Sequence, residues 1–63
     1  MKGFILKAWS GNSSYMYGLF ATRDNAAEYR QEYLESPGAT AYDLWTIEKW
    51  VGEDRVNIER LEK

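Results

Sequence analysis

The sequence contains no cysteine and no histidine. The first absence removes disulfide cross-links, and the two together remove the usual ligands of zinc, haem and iron–sulfur clusters. They also remove the most reactive nucleophile and the commonest general base, leaving such work to Asp, Glu, Lys, Tyr, Ser or Thr. Ser10, Ser13 and Ser14 fall in a turn-forming cluster with Gly11 and Asn12, where hydrogen bonds to the local backbone account for them. No nucleophile elbow, phosphate loop or dinucleotide-binding glycine pattern occurs. Glu53-Asp54 and the other carboxylates lack the alternating spacing of a calcium loop. The expectation is a protein that is not an enzyme, with no catalytic residue, no cofactor and no metal site.

Long apolar runs are missing too. The opening Phe4-Ile5-Leu6 is cut short by Lys7, so it is not expected to act as a secretion signal, and no stretch reaches the length of a membrane span. Charge of one sign is also missing. Ten acidic residues against eight basic ones leave a net charge of −2, whereas a duplex-DNA binder normally carries a basic excess. Nucleic acid is thus an unfavoured partner, and the cytoplasm is the expected location.

What the chain has in quantity is aromatic side chains: three Trp, five Tyr and two Phe in 63 residues. A domain this small rarely gains more than ~3–5 kcal/mol of net stability from its core. Without disulfides or metals, tight packing or self-association must supply it.

The chain reads as one domain over residues 1–63. "GFILKAW" at 3–9 and "YMYGLFA" at 15–21 are rich in β-formers and flank a Gly/Asn/Ser turn, which predicts a hairpin. Thr22 is a good N-cap and Asp24 suits a first helical turn, so a helix is predicted from Arg23 to Glu35, ended by Ser36-Pro37-Gly38. "LWTIEKWV" at 44–51 is a third strand, and the alternation of Val56 and Ile58 with Asn57 and Glu59 predicts a fourth after the turn at Gly52. The fold class is α+β: a small antiparallel sheet of three to four strands with one helix on one face.

A single helix covers one sheet face and leaves the other open. Alternation places Phe4, Leu6, Met16, Gly18, Phe20, Trp45, Ile47 and Val51 beneath the helix, with Tyr29, Tyr33 and Leu34 packing down on them. The open face then carries Ile5, Trp9, Tyr15, Tyr17, Leu19 and Trp50, together with Lys7, Thr46 and Glu48. Lys7 is what marks that face as the wet one. Such a patch exceeds what monomers ordinarily leave bare, and Trp and Tyr are enriched at binding hot spots. Those six residues form the first candidate partner surface, for a second copy in a homodimer or for another protein. Cross-strand ring pairs need no partner, however, and explain exposed tyrosines on stability grounds alone. A further alternative is base stacking on the same rings, with Lys7, Lys49 or Arg55 near the phosphates of a nucleotide or single strand. The second candidate surface is the helix face of Asp24, Glu28, Glu32 and Glu35. It reads as an ordinary wet face or as an acidic strip competing for a basic groove. Arg30 falls in the apolar stripe, where its stem is expected to lie on the core or its head to pair with a carboxylate such as Asp43.

The run "GLFATRDNAAEYRQEYL" followed by "TIEKW" resembles small β-β-α-β proteins of unknown function found in bacteriophage and bacterial genomes. The resemblance rests on Gly18, Phe20, Thr22, Ala26, Tyr29, Ile47, Glu48 and Trp50 and extends through Val51. It implies the same fold. By association it also implies a phage-encoded protein that binds and blocks a host protein, such as a defence component, in the host cytoplasm.

Overall fold

Lys2–Ser10 (β1) and Ser13–Phe20 (β2) form the first hairpin. Its two-residue turn places Gly11 at φ 60°, a backbone region that glycine enters without steric cost. Arg23–Glu35 forms the helix (α1). The Thr22 hydroxyl accepts a hydrogen bond from the Asn25 backbone N–H at 3.1 Å, and the Ser36 hydroxyl donates to the Glu32 carbonyl at 3.1 Å, so both ends are closed by the expected residues. Leu44–Val51 (β3) and Asp54–Leu61 (β4) make a second hairpin, turned at Gly52 with φ 65°. The computed structural model describes residues 2–61; Met1, Glu62 and Lys63, the ends of the expected domain, lie outside the described residues.

The four strands form one antiparallel sheet in the order β2-β1-β3-β4, with α1 on one face. Leu6, Ala8, Ala26, Tyr42, Trp45 and Ile47 are buried between sheet and helix, flanked by Phe4, Tyr17, Phe20, Ala27, Tyr33 and Leu61. This is the α+β architecture predicted from the sequence, with the fourth strand present.

Two β-bulges interrupt the alternation. Leu6 faces Gly18 but Lys7 faces Met16, so Tyr17 is an extra residue in β2. Lys49 faces Asn57 but Trp50 faces Arg55, so Val56 is extra in β4. A bulge sets two residues against one and resets the facing of whatever precedes it. The reset corrects three expectations. Tyr15, opposite buried Ala8, and Tyr17 turn toward the helix rather than the open face, while Met16 moves from the helix side to the open face, where it is exposed. Gly18, Phe20 and Leu19, beyond the bulge, lie where alternation puts them. Three further core assignments fail at the edges of the helix footprint. Leu34 near the end of α1 and Val51 at the end of β3 are exposed, and so is Tyr29, although its ring lies beside those of Tyr17 and Phe20.

Tyr17 becomes the hub of an aromatic cluster. Its ring lies 5.1 Å from Tyr33, 5.2 Å from Trp45, 5.8 Å from Tyr42 and 6.4 Å from Tyr29, all edge-on. Such pairs add ~0.5–1.5 kcal/mol each beyond area burial. The Tyr17 hydroxyl is hydrogen-bonded to those of Tyr33 and Tyr42. Of the ten aromatic residues, only Trp9 and Trp50 belong to the face without a helix.

Candidate functional site

Register lays out the helix-free face as a grid. One row runs Leu19–Ile5–Glu48–Ile58 across the four strands, and the next runs Met16–Lys7–Thr46–Arg60. Above and below them lie Ser14–Trp9–Leu44 and Gly3–Trp50–Arg55. Cα rows on one face repeat every ~6.6 Å and strands every ~4.8 Å, so the grid is roughly 20 Å by 14 Å.

The middle of this face is closed by its own side chains. Glu48 is only 1% exposed although no helix covers it, and Thr46 and Ile5 are also buried. Trp9 donates its indole N–H to the Thr46 hydroxyl at 2.9 Å, and Trp50 donates to Glu48 Oε1 at 3.1 Å. The other carboxylate oxygen, Oε2, is 3.2 Å from Lys7 Nζ and 3.3 Å from Arg55 Nη1. Burial pushes the Glu48 carboxyl up, but the bonds from Trp50 and Lys7 and the charges beside it outweigh burial and hold it below the ordinary value. The two indoles are therefore pinned on β3 acceptors two residues apart.

The rim is different. Met16 is 60% exposed, Leu19 49% and Ile58 42%. These aliphatics and the half-buried indoles are bordered by Lys7, Arg55 and Arg60, against Glu48 as the one carboxylate of the grid. Arg60 has no ion-pair partner among the described residues.

Of the six residues expected at the partner surface, Trp9, Trp50, Ile5 and Leu19 come together here, though Ile5 is buried beneath its neighbours. Tyr15 and Tyr17 lie on the other face. Of the three cations placed near phosphates, Lys7 and Arg55 are present. Lys49 faces Phe4 on the helix side, 6.0 Å from that ring's centre. Met16, Ile58 and Arg60 were missed. The first was hidden by the bulge, whereas Ile58 and Arg60 follow from alternation once β4 is paired in register.

The second candidate surface is less concentrated. Asp24, Glu28, Glu32 and Glu35 are exposed along α1, but Arg23 sits 3.4 Å from Asp24 and Gln31 donates to Glu35 at 2.9 Å. Arg23 also forks onto Glu59 of β4, an anchor that holds the Glu59 carboxyl below its ordinary value. A shallow open groove of about 180 Å3 lies beside this strip, lined by Tyr29, Glu32, Tyr33 and Ser36. The Tyr33 hydroxyl accepts from the Thr40 backbone N–H at 3.0 Å, which with the Tyr17 bond lowers its pKa to about 8. Tyr17, bonded to Tyr33 and Tyr42, is shifted the opposite way, above the ordinary phenol value. Tyr42 was not anticipated as a core residue, since it stands in the loop before β3.

Among the described residues there is no cluster of three or more potential metal-ligating side chains, and no helix is long and apolar enough to cross a membrane. Comparison with protein-family models, with curated proteins and with solved structures yields no match.

Proposed function

We propose that this chain is a non-enzymatic interaction protein that binds another protein through the helix-free sheet face. One observation carries the reading. Exposed Met16, Leu19 and Ile58 border two indoles whose N–H groups are already bonded, so a partner meets apolar surface and preset rings. Rings fixed before contact lose little side-chain freedom on binding, which is how tryptophan anchors reach high affinity per residue. The host-protein target implied by the resemblance to phage proteins belongs to the same proposal.

Base stacking on Trp9 and Trp50 is the second reading, and Lys7, Arg55 and Arg60 on the same face are what favour it. It ranks lower because Lys7 and Arg55 already serve Glu48 and the exposed aliphatics have no part in it.

Tagged wild-type protein, Leu19→Asp/Ile58→Asp and Glu28→Lys/Glu32→Lys are compared in capture from bacterial lysate, with folding checked by circular dichroism. The proposal expects a band that the sheet-face variant loses and the helix-face variant keeps. Equal capture by both variants refutes it.

A further inference from the structure

The sheet face is charged oppositely to the rest of the molecule. The chain as a whole is acidic, with a net charge of −2, yet the grid holds Lys7, Arg55 and Arg60 against Glu48 alone. That carboxylate is buried and contacted by two of the three cations, so the charge presented outward is positive. Two of the three cations are also lateral, whereas Lys7 stands on β1 opposite Met16. Arg55 and Arg60 flank Ile58 on β4, while Met16 and Leu19 lie on β2 at the far side. Between the two sides run the indoles and the covered Glu48.

From this segregation we infer that the partner presents one acidic amphipathic segment, its apolar side chains on Leu19 and Met16 and its carboxylates beside Arg55 and Arg60. The inference rests on the protein-binding reading above and names the chemistry of its ligand. Size points the same way. A helix with its side chains is ~10–12 Å wide, which fits within the ~14 Å width of the four strands. Charge also argues against a second copy of this face, because its one carboxylate, Glu48, is buried, so a two-fold pairing offers Arg55 and Arg60 no acidic partner.

The test uses three fluorescent probes of defined chemistry in anisotropy titrations. One is an 18-residue helical peptide with Leu on one face and Glu on the other, the second carries Lys in place of Glu, and the third is an oligothymidylate. The expected result is saturable binding of the Glu peptide, tightened at low salt and weakened about tenfold by Arg60→Glu, with Glu28→Lys unchanged. Arg60 bears on no other described side chain through an ion pair, so its reversal leaves the fold intact, as circular dichroism verifies. Preference for the Lys peptide, or no binding of the Glu peptide at low salt, overturns the acidic-segment inference. The lysate comparison then still decides the broader reading. Binding of oligothymidylate alone, lost in Arg60→Glu, overturns both in favour of base stacking.

Discussion

Replacing Glu48 by Gln tests whether the carboxylate on the uncovered face is as tightly held as its geometry indicates. Hydrogen bonds to charged groups contribute ~1.5–3 kcal/mol, and Glu48 accepts from Trp50, Lys7 and Arg55. The full sum does not apply. The Arg55 side chain is 50% exposed and Lys7 27%, so both can turn to water when the charge is removed, and their share is discounted accordingly. The amide oxygen of Gln keeps the bond from Trp50, while its NH2 group faces the two cationic donors. A loss of about 1–2 kcal/mol follows, close to a tenfold drop in the folding equilibrium constant. Glu48→Ala also strands the indole N–H and leaves a void, which raises the loss to about 2–4 kcal/mol. Urea unfolding followed by tryptophan emission reads both as midpoint shifts at unchanged slope. The pH dependence gives an internal control. The folded-state pKa of Glu48 lies below its ordinary value, so its stabilisation is complete above that value and disappears as pH falls through the folded-state pKa. The gap between wild type and Glu48→Gln should therefore close in acid. An unchanged midpoint at neutral pH, or a gap that persists in acid, refutes the account.

Three further substitutions have defined expected outcomes. Ultraviolet difference titration should show one tyrosine of the five ionising near pH 8, and Tyr33→Phe should remove that phase. Because the folded pKa lies below the ordinary value of 10, Tyr33 stabilises the fold progressively as pH rises from about 8 toward 10, an effect Tyr33→Phe should abolish in pH-dependent unfolding. Tyr17→Phe removes the hydroxyl shared with Tyr33 and Tyr42 and should cost about 1 kcal/mol in urea unfolding while raising the Tyr33 midpoint. Gly3→Ala puts a methyl 3.0 Å from the Phe20 carbonyl oxygen and 2.9 Å from Leu19 Cδ1. Leu19 can swing aside but the backbone must shift, at ~1–3 kcal/mol in the same assay.

How much of this was legible follows from which signals are local. The helix was bounded correctly because Thr22 and Ser36-Pro37-Gly38 act through their own backbone neighbours. The facing of β1 was correct because Lys7 cannot sit under a helix without a partner, and β1 carries no extra residue. Tyr15, Tyr17 and Met16 were misplaced because alternation assumes unbroken pairing, and a bulge is a property of two strands rather than of one. Gly18 was the available signal, since a glycine inside a strand marks a bulge as readily as a crowded neighbour. In this case both apply: a methyl at Gly18 would meet the Phe20 ring at 3.1 Å. Leu34 and Val51 show that apolar character does not report where a helix's footprint ends. The layout of the candidate surface was half legible for the same reasons. Alternation assigns Trp9, Trp50 and Leu19 to the open face, but the burial of Glu48 depends on three side chains, Trp50, Lys7 and Arg55, converging on it from three strands.

The bulges also bear on how this molecule can be approached. β2 and β4 are the edges of the sheet, and each carries one bulge, at Tyr17 and at Val56. Bulged edges bend away from a flat strand and resist pairing with another chain, which leaves strand addition disfavoured at both sides. One face is occupied by α1 and the tyrosine cluster. The helix-free face is the proposed contact, and its construction separates stability from contact. Trp9, Trp50, Lys7 and Arg55 are tied to β3, whereas Met16, Leu19 and Ile58 stand exposed around them. Met16, the most exposed of the three, is where binding can be probed with the least buried area removed. The same division explains why a chain without disulfides can keep apolar surface available: the eight rings on the helix side bear the packing, and the outer face is held in place by hydrogen bonds and charge.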